Sequence, residues 1–163
     1  MKFHVWIGAL LLMTLAGAAA CRKYAESAKA DPLLSAYDTE ADWNDAQHVI
    51  PLSFQQAQGK RISYQQCVWC HADSTPAGPS NRSNLTPVPP LLNDGATLNA
   101  ESDEFMQNII ALGGSAMGKS AMMPLYGKTL SAEEIRSVIA FTRAIAQPPY
   151  RPPARPGSQY SAK

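Results

Sequence analysis

Cys67, Cys70 and His71 stand in one short run, Cys67-Val68-Trp69-Cys70-His71. Two thiols three residues apart fall on one helical turn, and the imidazole follows at once. Thiolates and imidazoles bind metals and do nucleophilic chemistry, so this run constrains the chain more than any other. A structural zinc site needs four ligands, and no second cysteine pair exists to complete one. A thioredoxin-like site needs a βαβ setting, and no strand alternation surrounds the motif. A plain disulfide leaves His71 without a role.

C-x-x-C-H is the attachment pattern of c-type haem. The two thiols can reach the two vinyl groups of one porphyrin, and His71 is then carried under the iron as proximal ligand. The expected cofactor is one haem c, attached through Cys67 and Cys70. A sixth iron ligand must come from elsewhere. His4 lies within residues 1–20, expected to leave as a signal peptide, so His48 is the other histidine. The methionines after the motif are Met106, Met117, Met122 and Met123. Met106 falls inside an expected helix and suits a core. Met123 precedes Pro124, which holds it extended in a loop. Met123 is the expected ligand, with Met122, Met117 and His48 behind it. A thioether stabilises ferrous iron and raises the potential.

The N-terminus agrees with haem attachment outside the cytoplasm. Lys2 supplies a positive end, and Val5 to Ala20 is an apolar run of sixteen residues, short for a spanning helix. Ala18-Ala19-Ala20 precedes Cys21. Residues 1–20 are thus expected to be a signal peptide resembling a bacterial lipoprotein signal, with Cys21 as the lipidated residue. Ordinary cleavage giving a soluble periplasmic protein, or an N-terminal helix anchor, are the alternatives. The expected location is the periplasmic face of the cell envelope.

Charge divides the rest. Residues 22–54 carry three basic and six acidic side chains, and 21–54 is expected to be a lipidated start and acidic tether. A flexible tether of about 33 residues would span roughly 30 Å. Residues 55–147 balance seven basic against seven acidic side chains. Residues 148–163 carry five prolines with Arg151, Arg155 and Lys163, and read as a flexible tail. The whole chain's net charge of +1 makes nucleic acid a poor partner.

The patterned elements are all helical. One helix is expected from about Ser53 to the cysteines, with Phe54, Ala57, Arg61 and Ile62 at helical spacing. Residues 72–100 hold five prolines and read as loop. A second helix fits about Glu101–Leu112, with a stripe of Phe105, Ile109 and Leu112, stopped by Gly113-Gly114. Ser131 and Glu134 form a capping box for the last helix. Its apolar face is Ile135, Val138, Ile139, Thr142 and Ile145, and Pro148-Pro149 ends it.

Residues 55–147 resemble a class I (monohaem) cytochrome c domain. Gly59-Lys60 stands eight residues before Cys67, and the haem motif follows. Pro89-Pro90-Leu91 comes next, then Met123-Pro124-Leu125-Tyr126 running into Leu130-Ser131-Ala132-Glu133-Glu134-Ile135 and Val138-Ile139-Ala140-Phe141. The resemblance implies an all-α cytochrome c fold around the haem. It implies His71 and Met123 as iron ligands and Gly59 against Phe141 where first and last helices meet. Pro89 would offer its carbonyl to His71, with Pro79 the alternative because the 72–88 loop is enlarged. Tyr64 stands near the position of a family aromatic, beside Ser63, and is expected at the cofactor. Trp69 is expected to shield the haem edge. Trp43 and Tyr37 read as packing or loop residues, and Lys119 and Lys128 as surface flanking the Met loop.

The implied function is electron transfer, with iron cycling between Fe(III) and Fe(II) and no bond made in a substrate. Redox donor and acceptor proteins, membrane complexes among them, are the expected partners. One alternative is a haem c subunit of a membrane dehydrogenase or terminal oxidase complex. Another is a haem enzyme or gas sensor with a labile sixth ligand.

Overall fold

Ser53 opens the first long helix by a reciprocal bond. Its hydroxyl accepts the Gln56 N–H, and the Gln56 side chain accepts the Ser53 N–H at 2.8 Å. Two donors left over at a helix start are thereby satisfied. The computed structural model describes residues 39–153; the expected signal peptide 1–20, Cys21 and the chain up to 38, and the tail from 154, lie outside them. Helix α1 is Phe54–Gln66, α2 is Val68–His71, α3 is Gly95–Leu98, α4 is Asp103–Leu112 and α5 is Ala132–Ile145. Short 3-10 turns at Arg82–Asn84 and Ser115–Met117 and two antiparallel hairpins accompany them: β1 (Thr39–Ala41) with β2 (Val49–Pro51), and β3 (Ser74–Thr75) with β4 (Gly78–Pro79). The helical expectation therefore stands, with short strand pairs added.

α5 is the spine of the core. Ile135, Val138, Ile139, Phe141, Thr142 and Ile145 are all buried, the face its period marks out. α1 packs against it through Ala57, Gly59, Ile62 and Ser63. Phe54, expected on that face, is 78 % exposed because the helix has only just begun there. One apolar cluster joins Val68, Ala72, Leu92, Phe141 and Ile145. A second joins Met106 to Ile135 and Ile139. The α4 stripe is displaced: Met106 is its buried residue, Phe105 and Ile109 are half-buried, and Leu112 is exposed. α3 lies inside the stretch expected to be loop, started by Asp94, whose carboxylate accepts the Thr97 N–H.

The acidic tether is corrected over residues 39–53, which belong to the folded unit. Glu40 is buried, and a buried carboxylate needs partners. Lys60 lies 3.0 Å away, while the Tyr64 hydroxyl at 2.7 Å and the Trp43 indole N–H at 3.0 Å donate to it. Lys60 and Tyr64 are four apart on α1 and so face the hairpin together. Asp42 takes bonds from the Asn44 N–H, His48 and the Gln147 amide. The Pro-rich tail also begins later than expected. The Pro148 carbonyl accepts from Asn99 at 2.8 Å, and the Arg143 guanidinium sits 4.1 Å from the Tyr150 ring centroid.

The cap of α5 is a testable element. Glu134 accepts both the N–H and the hydroxyl of Ser131 at 2.8 Å, and the Ser131 hydroxyl accepts the Glu134 N–H. The bonds from Ser131 hold the Glu134 carboxyl below its ordinary range. A depressed carboxylate stabilises the fold at neutral pH and stops doing so as pH falls through its folded-state value. Ser131→Ala is expected to cost about 1 kcal/mol at pH 7. The gap between mutant and wild-type melting temperatures should narrow in acid. Melts across pH 3–7, as an order-of-magnitude span of ~4 units around carboxylate titration, check both points. A gap independent of pH would exclude the Glu134 contribution.

Candidate functional site

The motif turns about one carbonyl. α1 ends as the Cys67 N–H donates to Ser63 O at 2.8 Å. The Cys67 carbonyl then accepts the N–H of Cys70 at 3.0 Å and of His71 at 2.9 Å. Both thiols and the imidazole thus belong to a single turn. Val68 and Ala72 anchor that turn in the core, and both thiols are free. Burial pushes the Cys67 thiol up to about 12, against the pull of the Ser63 hydroxyl and with some help from Cys70. Trp69 is 57 % exposed between them.

His71 Nδ1 lies 2.8 Å from the carbonyl of Pro90. A carbonyl only accepts, so Nδ1 carries the proton and Nε2 keeps its lone pair for a metal. Burial holds His71 below its ordinary range; the Pro90 bond opposes this and the Arg82 charge adds to it. The expected acceptor, Pro89, is corrected by one residue. Successive carbonyls of an extended segment point opposite ways. The Leu92 N–H, bonded to His71 O at 3.0 Å, aligns the Pro90 carbonyl with the ring. The Pro89 carbonyl takes the Arg82 Nε–H at 2.8 Å instead. The Pro79 alternative falls with it, since Pro79 pairs with Ser74 in the second hairpin.

The Met loop is built on glycines. Gly113 has φ +82, which an L side chain rarely adopts. A Cβ on Gly114 would lie 2.0 Å from Ser120 O. Gly114 N–H donates to the Met123 carbonyl at 3.0 Å, and Met123 N–H to Ser120 O at 3.2 Å. After Pro124, Tyr126 N–H donates to Ile110 O, and its hydroxyl donates to Gln66 O at 2.9 Å. That last bond ties the loop to the end of α1, one residue before Cys67. Burial raises the Tyr126 pKa, and the nearby Cys67 and Cys70 thiols add to the rise. Met123 and Met117 are half-buried, Met122 is 61 % exposed, and Met106 is in the core.

His48 bonds to Asp42 in the hairpin. Tyr64, expected at the cofactor, directs its hydroxyl to Glu40. Burial and the neighbouring Glu40 raise its pKa. The Lys119 ammonium lies 5.8 Å from the Phe105 ring centroid. Sequence reasoning missed Pro90, Arg82 and the role of Tyr126. Their signal is a partner 7 to 60 residues away, which no local pattern carries.

The residues fit a haem. Among the described residues, no group of three or more His, Cys, Asp and Glu could hold a metal ion, so a bare-ion cage is not present there. A neutral imidazole, two free thiols on its own turn and a half-buried thioether suit an iron carried by a macrocycle. Leu112, Met122 and Leu125, from the segments around Met123, and Trp69 between the cysteines leave apolar surface exposed, as a flat apolar group would require. Among the described residues no helix is long and apolar enough to cross a membrane.

The profile of the family described as cytochrome c oxidase, cbb3-type, subunit III matches residues 54–141, more than half of the chain. No curated protein and no solved structure is significantly similar to the chain.

Proposed function

Because the chain belongs to the cbb3-type cytochrome c oxidase subunit III family and so is a class I c-type cytochrome with covalent haem c, we propose that it is a periplasmic-side electron carrier held at the membrane through Cys21. Cys67 and Cys70 would carry the haem, and His71 and Met123 would ligate its iron. The haem supplies a one-electron Fe(III)/Fe(II) couple. The chain's residues set its conditions. Pro90 fixes the proton on His71 Nδ1 and leaves Nε2 as donor. Tyr126, bonded to Gln66 O, holds the Met loop to the cysteine turn. The apolar clusters around Val68 and Met106 keep both sides rigid, which keeps reorganisation small. With His71 and Met123 both ligating it, the iron would offer no position to a substrate, and the role this supports is electron transfer. The observation that carries this is the His71 Nδ1 bond to Pro90 on the same turn as two free thiols.

The family's own description favours a second form of the same role, a fixed subunit of an oxidase complex. Residues 39–53 and 148–150, folded onto the domain, then serve as part of a docking body. Membranes from the native host are solubilised in mild detergent and the protein isolated by an affinity tag. A lone protein with a pyridine haemochrome of the c type supports the carrier. A stoichiometric oxidase partner supports the subunit. Rapid binding of carbon monoxide at this chain's own haem, in the reduced protein freed of partners, would overturn both. A haem-free protein from a host with intact haem-attachment machinery would overturn the cofactor reading.

A further inference from the structure

We propose that Arg82 is a positioning residue for the proximal histidine: its guanidinium holds the Pro89-Pro90 segment so that the Pro90 carbonyl stays bonded to His71 Nδ1. This rests on His71 being the proximal ligand, as proposed above.

Pro89 and Pro90 have no N–H, so this stretch cannot hold itself by donating; only its carbonyls can be held. The Pro90 carbonyl is engaged by His71. On one side the segment is pinned by the Leu92 N–H to His71 O at 3.0 Å. On the other it is pinned by Arg82 Nε–H to the Pro89 carbonyl at 2.8 Å. Arg82 is itself tied back to the haem turn. Its Nη1 donates to Asp73 at 2.9 Å, and its backbone N–H donates to the Ser80 hydroxyl at 3.2 Å. That hydroxyl donates to the Ala72 carbonyl, and the Asn81 N–H donates to Trp69 O at 2.9 Å. A closed circuit results, from His71 through Ala72 and Asp73 to Arg82, then Pro89 and Pro90 and back to His71. The enlarged 72–88 loop is what supplies Arg82 to it.

The geometry needs arginine. One edge of the fork meets Pro89 and another nitrogen meets Asp73, two directions that a lysine ammonium on a flexible stem does not hold at once. A firm Nδ1 bond makes the imidazole a stronger donor, which favours Fe(III) and lowers the potential. Loosening the bond raises the potential. Loss of the Arg82 charge alone acts in the opposite direction, because a nearby cation disfavours the more positive oxidised state. Arg82→Lys keeps the charge and breaks the fork, so it separates the two.

The test uses haem-loaded protein. In the wild type, the visible spectrum is recorded, the potential is titrated, and NMR follows hydrogen exchange at His71 Nδ1 and Arg82 Nε. The Arg82 Nε–H is expected to be protected about tenfold or more relative to a free guanidinium. In Arg82→Lys the spectrum is expected to stay that of the wild type, His71 Nδ1–H exchange to quicken about tenfold, and the potential to rise. Arg82→Gln should quicken exchange equally, with a smaller rise or a fall. Wild-type exchange and potential in Arg82→Lys, alone or with a lowered potential in Arg82→Gln, would overturn the proposal. An unprotected Arg82 Nε–H in the wild type would overturn it without any variant. A wild type that lacks a histidine-ligated haem spectrum instead defeats the functional reading on which it rests.

Discussion

Gly59→Ala is expected to cost about 3 kcal/mol or more, a large part of the ~5–15 kcal/mol that holds a small domain together. A Cβ at Gly59 would stand 1.8 Å from the Ser137 carbonyl oxygen, 2.4 Å from its carbon and 2.9 Å from Phe141 Cβ. Two of these three atoms are backbone of α5, so no rotamer change relieves the overlap. Ser137 and Phe141 are themselves almost wholly buried, which prevents α5 from moving outward without opening the core. Gly118→Ala is the matched control. Its φ is +66, but nothing lies within 4 Å of an added Cβ, so only the strain of about 1–2 kcal/mol for a left-handed residue applies. Denaturant melts of the haem-loaded proteins compare the two. Gly59→Ala within about 1 kcal/mol of wild type would mean that α1 and α5 do not meet there.

Met123→Ala is expected to leave the fold intact and remove the sixth ligand. The loop backbone is held without the side chain, by Gly114 N–H on the Met123 carbonyl, Gly127 N–H on Ala111 O and the Tyr126 hydroxyl on Gln66 O. The ferric protein should lose the far-red band of methionine-ligated haem. Its potential should fall by roughly 0.1 V or more, a fraction of the ~0.8 V range that axial ligands command. Met122→Ala and Met117→Ala should retain both. Met122 is 61 % exposed, so its loss is also expected to leave stability unchanged within about 0.5 kcal/mol. Optical spectra and potentiometric titration of the three variants decide the matter. A retained far-red band in Met123→Ala would assign the ligand elsewhere.

Particular residues show what local reading reaches. Ser53 and Ser131 cap the helices that their sequence context marks, each with its reciprocal partner three residues on. Gly59 meets Phe141 as the family resemblance implies. Met106 takes a core place, as its position inside a helix suggests. The stripe of α4 was legible as amphipathic but not in phase. Its exposed Leu112 and half-buried Phe105 are as apolar as the buried Met106, so hydrophobicity alone does not tell which side meets α5 and which is left uncovered.

The polar contacts behave differently. Glu40 and Asp42 read as charges on a tether, because composition counts charges and not partners. In the fold Glu40 lies buried among Lys60, Tyr64 and Trp43, and Asp42 reaches Gln147 across 105 residues of chain. Arg143 sits in the last turn of α5. It is nearly buried, donating to the Leu98 and Glu101 carbonyls and pairing with Asp103 at 2.8 Å. Each pairing depends on where distant segments come to rest.

By itself, then, the sequence determined the chemistry and the three long helices: thiols and imidazole on one turn, the caps and the apolar face of α5. Those follow from covalent spacing and helical period, which act within a few residues. Only the tertiary structure decided that Pro90 and not Pro89 meets His71, that residues 39–53 join the domain, and that Arg82 closes a circuit behind the histidine. A hydrogen bond is settled by the direction of a single carbonyl to within a fraction of an ångström. That direction is set by the chain pinned on both sides of it, through contacts that no local period encodes.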